Sequence, residues 1–177
     1  MTRDELEHAI RAACDVADET DLVVFGSQAI LGEYPDAPEA LRQSTEVDVS
    51  PINRTDMVDS IDAVLGELSQ FHKTHGFYVH GLPIEEAATL PGGWRDRTVL
   101  VQTEGTRRNK GHCLEAHDLA ASKLVAFRQK DTDFVRTLIV EGLIDPTILV
   151  ERIAALPLDD SAKVRLASWV RKTERDL

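Results

Sequence analysis

Two carboxylates, Glu46 and Asp48, alternate with Val47 and Val49 in the stretch "EVDVSP", residues 46–51. Side chains two apart on a strand point to the same face, so both acids share one side and the valines share the other. Like charges at that range repel, and both groups stay ionised only when solvated or neutralised by a cation. Oxygen ligands of this type suit Mg²⁺ or Mn²⁺, ions that keep several waters and accept phosphate oxygens as further ligands. On spacing alone the plainer reading is a half-exposed strand whose acids are simply solvated. A second feature shifts the balance: the apolar run "DLVVF" ends in Gly26-Ser27. Glycine at a strand end lets backbone approach a ligand closely. The N–H groups that open a following helix attract phosphate, and Ser27 adds a hydroxyl. A phosphate site beside a cation site is what a nucleotide requires.

The elements that must position these groups follow from pattern and punctuation. "DLVVF" reads as a buried strand, and "SQAILGEY" as a helix start with Ser27 as its cap. "EVDVSP" alternates as a strand and stops at Pro51. "TDMVDSIDAVLGEL" is expected to be a helix capped by Thr55, with Met57, Ile61, Val64 and Leu68 on one side. "FHKTHGFYVHGLP" reads as a turn and a short strand, "WRDRTVLVQTEG" as a strand, and "HCLEA" as another. From Asp118 onward every segment reads helical, with Gly142 as a stop signal and Asp145-Pro146 and Asp159 as starts. The expected fold is α+β: a small mixed sheet flanked by helices over residues 1–116, and an all-helical part over 117–177 packed on that core.

Bulk properties narrow the function. The chain of 177 residues suits one domain with a small appended part, and 42% hydrophobic content suits a globular core. A formal charge of −11 argues against broad binding to a polyanion, though it leaves room for a carboxylate site offset by metal ions. No run approaches the roughly 18 apolar residues of a membrane span. The charged N-terminus lacks a signal-peptide segment, so a cytoplasmic location is expected. Cys14 and Cys113 have no CxxC context and read as buried free thiols.

Gly-Ser after an apolar strand, followed by an acid-x-acid strand, resembles the nucleotidyltransferases of the DNA polymerase β superfamily. "HDLAASKLVAFRQKDTDFVRTLI", residues 117–139, is similar to the corresponding segment of AbiEii-type and MenT-type nucleotidyltransferase toxins. "GSQAILG", "SQFH" and "GWRDR" bring the chain closest to the DUF6036-type nucleotidyltransferases, and the resemblance covers most of residues 20–145. It implies transfer of a nucleoside monophosphate from an NTP to an acceptor, with Mg²⁺ or Mn²⁺ as cofactor. Gly26 and Ser27 match the triphosphate-contacting pair, and Glu46 and Asp48 the metal-binding acids. Lys123 matches a lysine on the nucleotide phosphates, and Asp131 a downstream acid of the active centre. Ser44 falls where some toxins carry a hydroxyl residue two places before the first acid. The toxin likeness further implies a tRNA or other RNA acceptor and a cognate antitoxin. The chain departs from the family pattern in two ways: its first acid is Glu46 where the family usually has Asp, and its interval from Ser27 to Glu46 is longer than usual.

Other candidates have plainer alternatives. Lys123 beside Ala120, Leu124 and Phe127 reads equally as a snorkelling surface lysine. Should its helix continue, Lys130 lies on the same face and forms with it a phosphate-facing stripe. Asp131 reads as a helix N-cap, and Asp118 and Asp133 as capping or solvated acids. "TRRNK", residues 106–110, is the one compact basic run: a solvated turn, or a contact for an RNA acceptor. His112, Glu115 and His117 lack the spacing of a zinc set. His72, His75 and His80 read as partly buried polar residues or as lining for an acceptor. Two alternatives to an active transferase stand beside it. One is a silent protein-interaction member of the same fold; the other is a protein that holds NTP without transferring it.

Overall fold

The β-branched "DLVVF" and "EVDVSP" runs do what their composition dictates: the computed structural model, which describes Met1–Leu177, has β1 at Asp21–Phe25 and β2 at Glu46–Pro51. Three further strands complete a mixed sheet: β3 (Tyr78–Gly81), β4 (Val99–Val101) and β5 (Lys110–Cys113), in the order β3-β2-β1-β5-β4. β1 runs antiparallel to β2 and parallel to β5, while β2 is parallel to β3 and β4 antiparallel to β5. The register sets Asp48 opposite Phe25 on one side and opposite His80 on the other. Leu22, Val24, Val47, Val49 and Val79 fill the opposite face and are fully buried.

The helices are α1 (Arg3–Ala17), α2 (Ile30–Glu33), α3 (Val58–Leu65), α4 (Gln70–His75), α5 (Ile84–Ala87), α6 (Ala116–Ala126), α7 (Gln129–Val140), α8 (Pro146–Ala154) and α9 (Asp160–Arg175). α1 buries Leu6, Ile10, Ala13 and Ala17 and packs against α3 and the sheet; a Thr2–Glu5 capping box fixes its start. At the crossing, Gly111 leaves room for Ile10, whose Cδ1 a Cβ there would meet at 2.4 Å.

The chain divides into two compact units, Met1–Ala87 with Thr98–Glu115, and Ala88–Arg97 with Ala116–Leu177. The first is the α/β unit and the second is helical, an α+β composition. In the helical unit α6 packs on α7 and α8, and α8 on α9. Asp145 caps α8 ahead of Pro146, Asp159 caps α9, and Gly142 takes a positive φ after α7, as the punctuation requires.

Several local expectations are corrected. "WRDR" forms a 3-10 turn, Trp94–Arg97, and only Val99–Val101 is strand. Residues 70–75 form a helix capped by Ser69, whose hydroxyl accepts from His72 N–H. On α3, Ile61 and Leu65 are buried while Val64 and Leu68 are exposed, because the helix ends at Gly66 and its apolar face is set by β3, not by its own periodicity. The helical run expected from Asp118 onward breaks at Phe127, which takes φ +51°. α7 restarts with Arg128 in its capping position.

Candidate functional site

β2 is fastened at its entrance. The Ser44 hydroxyl accepts a hydrogen bond from Glu46 N–H at 3.1 Å, so Ser44 holds the first acid at the start of the strand. Val47 and Val49 are buried, and Glu46 and Asp48 emerge on the other face with side chains 36% and 20% exposed. The loop before β2 is packed: Leu41 and Ala37 are buried, the Gln28 amide donates to Leu41 O at 3.3 Å, and Arg42 Nε donates to Ala37 O at 2.6 Å. The long Ser27–Glu46 interval is therefore taken up by an anchored loop, and β2 keeps its register beside β1.

Gly26 ends β1 with φ +69° and ψ −174°, a region essentially reserved for glycine. A Cβ at this position would lie 2.0 Å from Asp48 Oδ2. The missing side chain is what lets the turn sit directly over the carboxylate. Gly26, not Ser27, occupies the cap position, and Ser27 is the first residue of a 3-10 turn, Ser27–Ala29, that leads into the four-residue α2. The expected phosphate-attracting helix is thus very short, and its macrodipole is correspondingly small.

The structure adds a residue that the strand motif does not contain. His80 Nδ1 lies 3.1 Å from Glu46 Oε1 and 3.5 Å from Asp48 Oδ1. One ligand atom from each of Glu46, Asp48 and His80 falls within 4.8 Å of the others. On the far side of the imidazole, Nε2 is 3.9 Å from Asp62 Oδ1 of α3. Burial, then the charges of Glu46, Glu67, Asp48 and Asp62, push the neighbouring Tyr78 phenol above its ordinary range. Two carboxylates and an imidazole, partly exposed in a field of excess negative charge, form a donor set that fits a divalent cation.

The family comparison bears on the whole of this arrangement: the family model described as "Nucleotidyltransferase of unknown function (DUF6036)" matches residues 4–173. The chain belongs to this family. No curated protein and no solved structure matches the chain. Membership makes this DUF6036 protein a nucleotidyltransferase by family and implies an NTP substrate. The finer AbiEii-type and MenT-type likeness has no counterpart in the match.

Lys123, Lys130 and Asp131 of this DUF6036 chain lie in the helical unit. Lys123 Nζ is 3.5 Å from Asp131 Oδ1 and 4.6 Å from the Phe134 ring centroid, with only 13% of its side chain exposed. Burial holds the Lys123 ammonium below its ordinary pKa, against the opposing pull of Asp131. Asp131 is buried and sits in the first turn of α7, not at its cap. Burial pushes its carboxyl up, but the 2.6 Å Arg128 hydrogen bond and the Lys123 and Arg128 charges outweigh burial and leave it low. A carboxylate so held is a poor proton acceptor and a good brace between α6 and α7. Lys130 is exposed, and the break at Phe127 interrupts the helical face it was expected to share with Lys123.

Asp118, read from sequence as capping or solvated, is fully buried. It takes a two-pronged hydrogen bond from Arg97, at 2.8 and 2.9 Å, and faces Arg152 Nε at 3.2 Å, a contact without an aligned N–H. The basic turn 106–110 is met by acids: Arg107 by Asp15 at 3.0 Å, Arg108 by Glu104 at 3.8 Å, and Lys110 by Asp21 at 3.6 Å. His112 pairs with Asp21, and His117 accepts from Asp145 N–H. Both cysteines are buried free thiols, each pushed up to about 12 by burial. No helix is long and apolar enough to cross a membrane.

Proposed function

We propose that the chain transfers a nucleoside monophosphate from an NTP to an acceptor hydroxyl at the Gly26–Glu46–Asp48 face, with Mg²⁺ or Mn²⁺ as cofactor. The observation that carries this reading is the 2.0 Å that would separate an added Gly26 Cβ from Asp48 Oδ2. The turn after β1 and the second acid are built against each other, as a site that handles phosphate and cation together needs. When bound, the cation would neutralise phosphate charge and help align the reacting oxygens. Glu46 and Asp48 would hold it, and Ser44 would keep Glu46 in place through its backbone bond. The backbone at Gly26 and the hydroxyl of Ser27 would receive the triphosphate. Fixed electrostatics of this type carry most of the rate in phosphoryl chemistry.

Lys123 and Asp131 enter this reading as a brace inside the helical unit. A further role for Lys123 on the nucleotide phosphates rests on the resemblance alone. The RNA acceptor and the antitoxin implied by the toxin likeness are proposals of the same standing. Arg107, Arg108 and Lys110 of the basic turn each face an acid, which offsets part of the charge they present to RNA. A protein or small-molecule hydroxyl is therefore included as acceptor on equal terms. The competing outcomes are a protein that holds NTP without transferring it and a silent protein-interaction member of the same fold.

The test is an incubation of the protein with each α-labelled NTP, Mg²⁺ or Mn²⁺, and either total tRNA or protein extract. Cation-dependent label on an acceptor, absent in Asp48→Asn, is the expected result. NTP-dependent thermal stabilisation without label assigns the binding-only alternative.

A further inference from the structure

The two acids of β2 leave the cluster short of a neutral donor, and β3 supplies one. We propose that His80 is a third protein ligand of the cation held by Glu46 and Asp48, oriented from behind by Asp62, and that it makes the site favour a first-row transition cation over Mg²⁺. This rests on the reading of the face as a cation-dependent transfer site and specifies which class of ion it takes.

Topology brings the imidazole there. β3 runs parallel to β2 with Asp48 directly opposite His80, so their side chains leave the sheet on the same face as Glu46. Nδ1 is the atom that points at both carboxylates, at 3.1 and 3.5 Å. Nε2 points the other way, toward Asp62 Oδ1 at 3.9 Å. Metal-bound histidines almost always give their second ring N–H to a carboxylate or carbonyl, which fixes the tautomer and ring angle. Asp62 Oδ1 lies on that side of the ring, at 3.9 Å beyond hydrogen-bond length. It is placed to close on Nε2 when an ion draws the ring, and it comes from α3, the helix that packs on β3.

The competing role for His80 is that of a counter-ion that quiets the acids without any metal. Within this group an imidazolium would offset one of three carboxylate charges, and the counter-ion and ligand roles are told apart by ion preference. A nitrogen donor changes which ion the site prefers. Carboxylate and water suit Mg²⁺, whereas imidazole suits the first-row transition ions, whose affinity for mixed N/O sites rises from Mn²⁺ through Co²⁺. Three protein ligands still leave positions for phosphate oxygens and water.

The test measures Co²⁺ and Mg²⁺ binding to the full chain by calorimetry, with the visible Co²⁺ absorption as a second readout. Wild type is expected to bind Co²⁺ more tightly than Mg²⁺. His80→Ala should weaken Co²⁺ and leave Mg²⁺ essentially unmoved, and His80→Asp should shift the preference toward Mg²⁺. Asp62→Asn should weaken Co²⁺ by roughly 10-fold, the scale of a lost outer carboxylate, and alter the absorption band. Both side chains are partly exposed, at 34% and 47%, so metal-free melting checks that each variant is folded. An unchanged Co²⁺-to-Mg²⁺ preference in His80→Ala overturns this inference, and the transfer-site reading then survives if Asp48→Asn weakens both ions. Failure of wild type to bind either ion overturns both.

Discussion

Two pairs of acids in this chain live under opposite conditions. Asp118 and Asp131 are buried in the helical unit, and each has two cationic side chains at ion-pair distance: Arg97 and Arg152, and Lys123 and Arg128. Glu46 and Asp48 lie on a partly exposed face of the α/β unit, with the imidazole of His80 beside both. Burial of a carboxylate demands compensation from the protein, and the helical unit provides it. Partial exposure leaves Glu46 and Asp48 within reach of solvent and of ions from outside, so compensation there need not come from the protein alone. The first pair holds helices together, and the second pair is the one to which the proposed transfer assigns chemistry.

The largest expected effects cross between the pairs. Asp118→Asn should cost about 3–5 kcal/mol of folding stability, because two half-buried arginine side chains lose their buried anion. Urea unfolding measures this, and transfer should fall only with the folded fraction. Asp48→Asn should do the reverse: at least ~100-fold less transfer at saturating NTP, the scale of a lost transition-state contact, with a melting temperature equal to or above wild type. Similar stability losses in the two variants would erase the distinction.

Asp131→Asn is expected to cost less, roughly 2–3 kcal/mol, since solvent reaches its partner Arg128 and screens the pair. The folded carboxyl lies below its ordinary value, so its contribution is fully present above the unfolded pKa of about 3.9 and is lost as pH falls through the folded value. Urea unfolding of wild type and Asp131→Asn should therefore differ at neutral pH and converge under acid.

Gly26→Ala sharpens the comparison from the other side. The disfavoured φ/ψ alone should cost about 1–3 kcal/mol, and the added Cβ must displace the Asp48 carboxylate. A thermal melt and a transfer assay on one preparation should both register the change, with transfer the more affected. Lys130→Ala should be the smallest effect, within about 0.5 kcal/mol of wild type, because the side chain is exposed. An equally small effect on transfer is expected, and a large one would restore Lys130 to the nucleotide.

Much of the skeleton was legible in the sequence because its signals are local. "DLVVF" and "EVDVSP" coincide with β1 and β2 as found, since β-branched runs bounded by Gly26 and ended at Pro51 leave little choice. Asp145-Pro146 and Asp159 mark helix starts by side chains that cap their own next turn. The acid pair was legible for the same reason, as a two-residue period. What escaped is non-local. His80 reaches Glu46 across 34 residues of sequence through a parallel strand pairing that no short motif announces. Asp118 reads as a surface acid until Arg97, 21 residues earlier, is folded against it. The break at Phe127 is a left-handed turn at a residue type that rarely adopts one, so propensity points the wrong way there.

The claim on which the rest depends is that the open acids of β2 gather a divalent cation beside the turn at Gly26. Crystals of the protein grown with Mn²⁺ and a non-hydrolysable NTP analogue test it by anomalous scattering. The account predicts a manganese peak in ligand contact with Glu46 and Asp48 and a phosphate oxygen of the analogue. An analogue bound with no metal at these side chains, or with its metal held elsewhere on the chain, would contradict it.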